Sequence, residues 1–378
     1  MTAPALLQLG MHFDPSGGGA DRYFSGLIQG LAGNGQAFRA AAFGQPDAEF
    51  GASRISLGPV GQSWPRRRAA IRAFGRREIV PGSIVATHFA LYAHPLLRQL
   101  RRSAHVVHFH GPWAEESARE GQNPFLVWAK RLIERRTYAS ARRLIALSPA
   151  FRDILITAYG ADPQRIAVVP GGVDLDRFQP SASARESRRK LDWPEDKKII
   201  FCVRRLVRRM GLEHLLDAFA VIAPRHPEAL LVIAGKGPLS AELRQWSWKL
   251  GLEGRVRFTG YLPDDDLPAA YSAADFSIVP SQALEGFGLI TVESLACGTP
   301  VLVTPVGGLP ETVRGLDPSL VLAGSTKEDL AAGLERGLAE PLPSREACRN
   351  HAAENFSWSE IARQACTVYE EAADDPFH

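Results

Sequence analysis

The sequence has few cysteines and no long apolar run. Its 378 residues include four cysteines, none of which forms a Cys-x-x-Cys pair. The sequence therefore favours neither a disulfide framework nor a zinc site, and it indicates a reducing compartment. No stretch approaches the roughly 20 apolar residues that a membrane-spanning helix needs. The first residues lack a basic leader and a long apolar segment, so we expect no signal peptide and a cytoplasmic location.

The composition is that of an ordinary folded protein, but its charge is unevenly distributed. Hydrophobic residues make up 45% and charged residues 22% of the chain, which excludes a disordered, collagenous or coiled-coil protein. Positions 1–180 carry 22 Lys and Arg against 13 Asp and Glu, whereas positions 181–378 carry 22 against 28. At about 150 residues per domain the length predicts two domains. The opposite charges of the two halves predict different partners.

Short apolar runs alternate with segments of helical period along most of the chain, a pattern typical of parallel sheets with helical crossovers. The polar stretch from Phe178 to Arg189 predicts a linker. We expect two doubly wound α/β domains, over residues 1–180 and 190–355, followed by a C-terminal helix within 356–378. Such folds bind ligands at the carboxyl ends of their strands, so the cleft between the domains is the expected site.

A glycine-containing loop before a helix is the most informative segment. A predicted strand ends at Val279, the loop Glu285-Gly286-Phe287-Gly288 follows, and a helix is predicted from Leu289 to about Cys297. Unpaired backbone N–H groups and the dipole at the helix start favour an anion such as a diphosphate. The two glycines let the backbone approach that anion closely.

Two carboxylates flank this predicted anion site. Glu285 lies in the loop and Glu293 lies farther along the helix. Because a carboxylate repels a phosphate, we expect both to bind neutral hydroxyls, those of a sugar and of a ribose. The alternative interpretation is a capped helix with two solvated glutamates.

The Glu285-x7-Glu293 pattern, with Glu-Gly-Phe-Gly-Leu at its start, resembles the signature of glycosyltransferase family 4. Further segments resemble motifs of this family in the family's order: Gly17-Gly18-Gly19, His108–Pro112, Val169–Phe178, Val203–Gly211 and Gly307–Glu311. Each motif is weak alone, but their order and spacing along nearly the whole chain are specific. The resemblance implies the GT-B fold: two Rossmann-like domains facing across a cleft, with the C-terminal helix crossing back to the first domain.

The resemblance also implies roles for individual residues. Catalytic roles fall to His110, Glu285 and Arg205, with Glu285 on the donor sugar and Arg205 on the diphosphate. The predicted donor-binding residues are Gly18, Arg209, Tyr261, Leu262, Gly286, Phe287, Gly288, Leu289 and Glu293. The predicted acceptor-side residues are Gly17, Gly19 and His88. By residue type alone, Arg205 is also compatible with an exposed arginine and His110 with a structural histidine.

The sequence departs from the family at Met210, where most members carry a lysine immediately before the glycine. A thioether supplies no positive charge to a leaving phosphate. We expect Arg209 to replace the lysine, with Arg204 or Arg208 as substitutes, because neutralising the developing phosphate charge is the task of this position.

The run Asp264-Asp265-Asp266 has the composition of a metal site. It precedes a predicted helix, and acidic residues are favourable before a helix N-terminus. We therefore predict no metal and no cofactor. The resemblance implies the same, because family members use cationic side chains and the helix end instead.

The segment from Trp64 to Arg77 contains six arginines and no acidic residue. Ala70, Ile71 and Phe74 would share one side of a helix, a pattern typical of a basic amphipathic helix on an anionic membrane surface. A solvated basic face on a core-packed helix is the alternative. No aromatic-interleaved module accompanies the arginines, so we expect no nucleic-acid partner. We expect peripheral association with the inner face of a membrane.

Together with these patterns, the resemblance implies a retaining, metal-independent glycosyltransferase of polysaccharide biosynthesis. It would move a hexose-type sugar from a nucleotide-diphosphate sugar to a hydroxyl of a glycan or a lipid-linked acceptor. No residue is placed as a covalent nucleophile, and the resemblance implies a front-face displacement. The alternatives are a phosphorylase or nucleotide-sugar epimerase of the same fold, or a sugar-binding protein without enzymatic activity.

Overall fold

Parallel β-sheet forms the centre of each of the two units into which the chain divides. The computed structural model describes residues 6–14, 17–45 and 54–375. The first unit comprises Met1–Gly172 and Trp358–His378, and the second comprises Val173–Ser357.

The described residues of the first unit form seven strands. They are β1 (Leu6–His12), β2 (Phe38–Phe43), β3 (Arg54–Ser56), β4 (Ile84–Thr87), β5 (Ala104–Phe109), β6 (Arg143–Ala146) and β7 (Ile166–Val168). All pairs are parallel, in the order β3-β2-β1-β4-β5-β6-β7. The helices up to residue 172 are α1 (Gly19–Gly33), α2 (Trp64–Glu78), α3 (Ala90–Ala93), α4 (Leu97–Leu100), α5 (Trp113–Arg119), α6 (Pro124–Ser140) and α7 (Pro149–Tyr159).

The second unit contains five strands, which are β8 (Lys198–Val203), β9 (Ala229–Ala234), β10 (Val256–Gly260), β11 (Phe276–Val279) and β12 (Val301–Val303). Their order is β10-β9-β8-β11-β12, again all parallel. The helices are α8 (Ala184–Lys190), α9 (Leu212–Ile222), α10 (Ser240–Lys249), α11 (Leu267–Ala273), α12 (Leu289–Ala296), α13 (Leu309–Val313), α14 (Lys327–Ala339) and α15 (Arg345–Phe356). Strands β9 and β11 are buried along their whole length, which explains their continuous apolar sequence.

The C-terminal helix α16 (Trp358–Asp374) returns to the first unit and packs on α1. The Trp358 ring lies so close to Gly26 that a Cβ there would sit 2.0 Å from it, and one on Gly172 would sit 2.6 Å from it. Glycine at these two positions therefore permits the close approach of the backbone. The predicted return of the last helix to the first domain is confirmed.

The boundary between the two units lies upstream of the predicted domain boundary. The first unit ends at Gly172, whereas the sequence predicted a boundary at 180 and a linker from Phe178 to Arg189. That stretch belongs to the second unit and includes α8. Arg188 is buried there, and it donates to the carbonyl of Ala273 and pairs with Asp275 at 2.8 Å. A buried, paired arginine anchors the segment, although its polar composition is typical of a linker.

Each sheet has one place where the strand order changes direction, between β1 and β4 in the first unit and between β8 and β11 in the second. Loops that leave the carboxyl ends of two such strands diverge and open a crevice, which is where doubly wound folds bind ligands. The residues predicted as functional follow β1, β4 and β5 in one unit and β8, β10 and β11 in the other.

Candidate active site

In the second unit, the loops after β8 and β11 bring Arg204 and Glu285 together. The Arg204 guanidinium pairs with the Glu285 carboxylate and donates to Ser281 Oγ. Ser281 Oγ in turn donates to Glu285 at 3.1 Å. The side chains of Arg204 and Glu285 are only 6% and 13% exposed. A nearly buried ion pair therefore lies where this fold binds its ligands.

The surroundings of Glu285 set its charge. Burial alone would raise the pKa of this carboxyl group. The charge and hydrogen bond of Arg204, the charge of Arg209 and the hydrogen bond from Ser281 outweigh burial and hold the pKa below its ordinary value. Glu285 is therefore a carboxylate at neutral pH, and its oxygens accept hydrogen bonds rather than supply a proton.

Glycines hold the loop that carries Glu285 in place. Gly288 has φ +87° and begins α12, at whose N-terminus no side chain provides a cap. The amide of Gly308 donates to the Glu285 carbonyl at 3.0 Å, and a Cβ on Gly307 would lie 1.8 Å from that same oxygen. The Gly307-Gly308 motif thus fixes the backbone of Glu285. The open start of α12 fits the predicted diphosphate position.

The Glu293 carboxylate lies inside the second unit. It is 4% exposed, and it accepts a hydrogen bond of 3.1 Å from the hydroxyl of Tyr271 on α11. The second predicted carboxylate is thus oriented by a buried tyrosine. Its proposed contact with a ribose stays a prediction.

The arginines around Met210 differ in their partners. Arg208 is exposed and pairs with Glu213 at 3.3 Å and Glu242 at 3.1 Å. Arg209 is half-buried and donates from Nη1 to the carbonyl of Leu284 at 3.1 Å, beside Glu285. Arg209 therefore lies next to Glu285, and its positive charge acts on that carboxylate. Its replacement of the missing lysine stays a prediction. Arg205 is exposed, which fits both a ligand contact and the alternative of an exposed arginine, so its role stays a prediction.

Lys236 is a cation that the sequence reasoning missed. It lies between Gly235 and Gly237, directly after β9, and its Nζ lies 4.9 Å from the centroid of the Tyr261 ring. A Cβ on Gly235 would lie 1.8 Å from the Arg204 carbonyl oxygen, so this loop packs on the backbone of the ion pair. Tyr261 is 54% exposed and Leu262 is half-buried, which leaves both accessible to a base. The Gly-Lys-Gly run at the end of β9 is the sequence signal from which Lys236 could have been predicted.

In the first unit, three histidines form a stacked group at the carboxyl ends of β4 and β5. The rings of His88 and His108 lie 4.2 Å apart. His110 Nε2 lies 3.2 Å from His88 Nδ1, and His88 Nε2 lies 2.9 Å from Gln8 Oε1 on β1. The predicted residues His88 and His110 thus form one chain of hydrogen bonds.

The chain continues through residues that the sequence reasoning did not single out. Gln8 Nε2 donates to the hydroxyl of Tyr369 at 3.1 Å, and that hydroxyl lies 2.7 Å from His108 Nε2. His108 Nδ1 lies 3.3 Å from the Tyr23 hydroxyl. Tyr369 comes from α16, so the last helix completes a network that surrounds His88. No local sequence motif announces it.

Burial determines the charge of His110, and the directions of the hydrogen bonds determine which of its ring nitrogens carries the proton. Burial lowers the pKa of His110 to about 4, and burial with the neighbouring imidazoles lowers the pKa of His88 well below its ordinary value. Both rings are therefore neutral at pH 7. Since the Gln8 carbonyl accepts from His88 Nε2, His88 Nδ1 accepts from His110 Nε2. His110 Nδ1, which has no partner among the described residues, is left as a hydrogen-bond acceptor.

The glycine loop before α1 is open. Adding a Cβ to Gly18 or Gly19 would meet no described atom within 4 Å, and Gly17 donates to the Asp14 carbonyl at 3.1 Å. Beside this loop lies a hydrogen-bonded pair that the sequence reasoning missed. His12 Nδ1, at the end of β1, lies 3.1 Å from the carboxylate of Asp21 in the first turn of α1.

The two remaining charged segments have structural partners. In the run 264–266, Asp264 pairs with Arg177 at 3.4 Å and Asp266 with Lys190 at 2.8 Å. In α2, Ile71 and Phe74 are buried in the core of the first unit. The apolar side of α2 is therefore not available to a membrane, and the alternative, a basic face on a core-packed helix, describes it. No described helix is long and apolar enough to cross a bilayer.

The two Rossmann-like sheets and the site residues at their ligand-binding ends define a glycosyltransferase of the GT-B fold, and comparisons with known proteins agree. Residues 17–177 match the model of Glycosyltransferase Family 4, and residues 183–355 match that of glycosyl transferases group 1. The D-inositol 3-phosphate glycosyltransferase of Corynebacterium kroppenstedtii is 32% identical over 320 residues, covering 80% of this chain and 70% of that protein. The chain belongs to glycosyltransferase family 4.

Solved structures support the same fold. Sucrose-phosphate synthase from Thermosynechococcus elongatus has a TM-score of 0.80 at 26% identity, covering 97% of this chain and 98% of that one. HepE from Anabaena, solved in complex with UDP-glucose, has a TM-score of 0.76 at 20% identity, covering 97% and 99%. The predicted family and fold class are confirmed.

The buried histidines predict a pH dependence of stability. The unfolded chain protonates a histidine near pH 6.5, whereas folded His110 stays neutral to about pH 4. The folded state therefore binds fewer protons in this window, and its stability falls on acidification, by up to about 1.4 kcal/mol per pH unit for each such histidine. Urea unfolding from pH 7 to 5, followed by hydrogen exchange at the β5 amides, measures the slope.

His110→Asn should reduce that slope by the contribution of one proton. His214→Asn, at an exposed position of the second unit, is the matched control and should leave it unchanged. An unchanged slope in His110→Asn would contradict the assignment of a neutral His110.

Proposed function

We propose that this chain is a retaining, metal-independent glycosyltransferase that takes its sugar from a nucleotide-diphosphate donor. The observation that carries the proposal is the buried pair of Arg204 and Glu285 beside the uncapped start of α12. The UDP-glucose complex of HepE, which shares the fold, supports a nucleotide-sugar donor. The proposed sugar is a hexose.

The donor would be bound by the loops of the second unit. The diphosphate occupies the start of α12, where backbone N–H groups and the helix dipole favour an anion. Arg205 and Arg209 neutralise the charge of the diphosphate. Glu285 accepts hydrogen bonds from hydroxyls of the sugar, and Glu293 accepts them from hydroxyls of the ribose. The base lies against Tyr261 and Leu262, beside Lys236.

The proposed reaction is a front-face displacement. The bond between the anomeric carbon and the diphosphate oxygen breaks, the acceptor hydroxyl forms its bond on the same face, and its proton passes to the leaving oxygen. Glu285 is engaged by Arg204, so it orients the sugar rather than attacking it. Stabilisation of the leaving phosphate by fixed cations and amides is the main catalytic contribution. His110 accepts a hydrogen bond from a sugar hydroxyl at Nδ1.

The proposed acceptor is a hydroxyl of a glycan or of a lipid-linked sugar. It would contact the glycine loop at Gly17 and Gly19 and the network around His88. A second candidate is a phosphorylated polyol or sugar, which the names of the D-inositol 3-phosphate glycosyltransferase and of sucrose-phosphate synthase support. Assays with a glycan acceptor and with a sugar phosphate distinguish the two.

Glu285→Gln should lower turnover by about 10²- to 10³-fold while nucleotide binding changes little, because the lost interaction is made to the sugar in the transition state. Glu293→Gln should mainly weaken donor binding. Release of nucleoside diphosphate from UDP-, GDP- and ADP-glucose measures turnover, and calorimetry with the matching nucleotide measures binding. Glu242→Gln, at a surface glutamate, is the control. Turnover of Glu285→Gln within twofold of the unmodified protein would refute the site.

Arg209→Ala should lower kcat/KM for the donor by a factor that corresponds to about 2–4 kcal/mol of lost transition-state stabilisation. This is the scale for loss of one group that stabilises developing charge. Met210→Lys in the Arg209→Ala background should restore part of the loss by supplying the cation typical of the family. Arg208→Ala serves as the control, because Arg208 is engaged by surface glutamates. If Arg208→Ala lost more activity than Arg209→Ala, the assignment would be reversed.

We also propose peripheral membrane association through the first unit. Phe125, Leu126 and Trp128 are exposed at the start of α6, and the rings of Phe125 and Trp128 stack at 5.7 Å. Exposed aromatic side chains near basic residues are typical of proteins that bind at a membrane interface. This patch, rather than the buried apolar side of α2, would enter the interface.

Trp128→Ala should reduce the fraction of protein that sediments with anionic vesicles at low salt. The attraction should weaken near 1 M salt, where the Debye length falls to about 3 Å. Trp248→Ala, an equally exposed tryptophan on α10 of the second unit, is the matched control. Equal recovery in the supernatant with and without anionic lipid would rule out the association.

A further inference from the structure

A cavity of about 480 Å³ lies in the first unit, away from the histidine network and from the exposed aromatic patch on α6. It is lined by Arg68, Arg72, Arg76, His94, Arg98 and Gln99, together with apolar atoms of the turn between them. Its volume is within the usual range for small-molecule sites, about 300–1,000 Å³. Among the residues that the structure describes, no acidic one lines it.

The arginines on α2 fall into two groups. Arg67 donates to the Tyr92 hydroxyl at 2.6 Å, and Arg77 pairs with Glu78 at 2.7 Å. Arg68, Arg72 and Arg76, by contrast, line the cavity, and within the described ranges no carboxylate pairs with them. Arg66, Arg68, Arg72 and Arg76 are all exposed on α2, and the last three of them line the cavity.

The spacing of the cavity arginines is unfavourable unless an anion is bound. Arg68, Arg72 and Arg76 follow one another at intervals of four residues, which places them on one face of α2. Like charges at this spacing destabilise a helix. Arg98 on α4 adds a fourth positive charge from the opposite wall.

Both walls of the cavity are anchored to the core. Ile71 and Phe74 of α2 are buried with Leu96 in one apolar cluster. Gly75 packs so closely on Leu96 that a Cβ there would lie 2.4 Å from Leu96 Cδ2. The backbones that carry the cations are therefore held at a set separation, which lowers the entropy lost when a ligand binds.

The pKa of His94, in the wall of the cavity, responds to the same positive potential. Partial burial lowers the pKa of His94, and the charges of Arg136 on α6 and Arg68 on α2 lower it further. Cations from two helices thus act on one point at the edge of the cavity.

We propose that this cavity binds a ligand with a phosphomonoester or diphosphate group, held by the forked guanidinium groups of Arg68, Arg72, Arg76 and Arg98. Arginine favours phosphate because its planar donors bind two oxygens at once. The phosphate can belong to a soluble compound or to a lipid headgroup. The inference is independent of the proposed donor chemistry, which uses residues of the other unit.

Calorimetric titration with inorganic pyrophosphate tests the soluble source. The double variant Arg72→Gln, Arg76→Gln should bind pyrophosphate at least tenfold more weakly at this site than the unmodified protein. The control Arg66→Gln, Arg77→Gln removes the same charge from the same helix and should bind normally. Repeating the titration in an Arg209→Ala background separates this site from the donor site, because only the cavity variants should abolish the remaining binding.

Sedimentation with phosphatidylcholine vesicles tests the lipid source, with and without phosphatidic acid, which carries a phosphomonoester. Loss of pyrophosphate binding in the cavity variant supports a soluble ligand, and loss of phosphatidic acid binding supports a lipid ligand. If the cavity variant and its control behave alike toward both probes, the arginines are solvated cations only and the inference is overturned. Circular dichroism of all variants establishes that they are folded.

Discussion

The buried ion pair between Arg204 and Glu285 is the interaction on which the second unit's site depends. Removing one member of such a pair leaves an uncompensated charge, which costs about 3–5 kcal/mol. The neighbouring loops are built directly on its backbone. A Cβ on Gly235 would lie 1.8 Å from the Arg204 carbonyl oxygen, and one on Gly307 would lie 1.8 Å from that of Glu285. The glycines therefore fix the pair, and the pair fixes the charge of Glu285 in the proposed donor site.

The first unit sets the charge of its predicted site residues by the opposite means. Its histidines lose charge rather than gain a counter-ion, because burial lowers their pKa values while Gln8 and Tyr369 satisfy their nitrogens. The network joins β1 to the last helix across 361 residues of sequence. The return of α16 to the first unit is therefore part of the site's chemistry as well as of its packing. The second unit holds the charged carboxylate of Glu285, and the first unit holds neutral imidazoles whose hydrogen-bond directions are fixed.

Several elements were predictable because their causes are local. Glycines before an apolar helix predict the start of α12, and apolar runs predict the strands. The position of the linker was not predictable from composition. Arg188 makes the polar segment after residue 180 part of the second unit through contacts with residues more than 80 positions away. Likewise, the arginines of α2 look alike in sequence, and only their neighbours separate Arg67, bound to Tyr92, from Arg72, which lines a cavity.

By itself, the sequence determined the family, the two sheets and the positions of Glu285, Glu293 and His110, because periodicity and the order of motifs are properties of the chain. Only the tertiary structure decided which side chain meets which. It paired Glu285 with Arg204 rather than with the arginine next to it, and it brought Tyr369 to the histidines. Charge state and hydrogen-bond polarity depend on distances of a few ångströms, because electrostatic energy falls with separation and rises with burial. Such distances are set by packing between segments that are far apart in the chain.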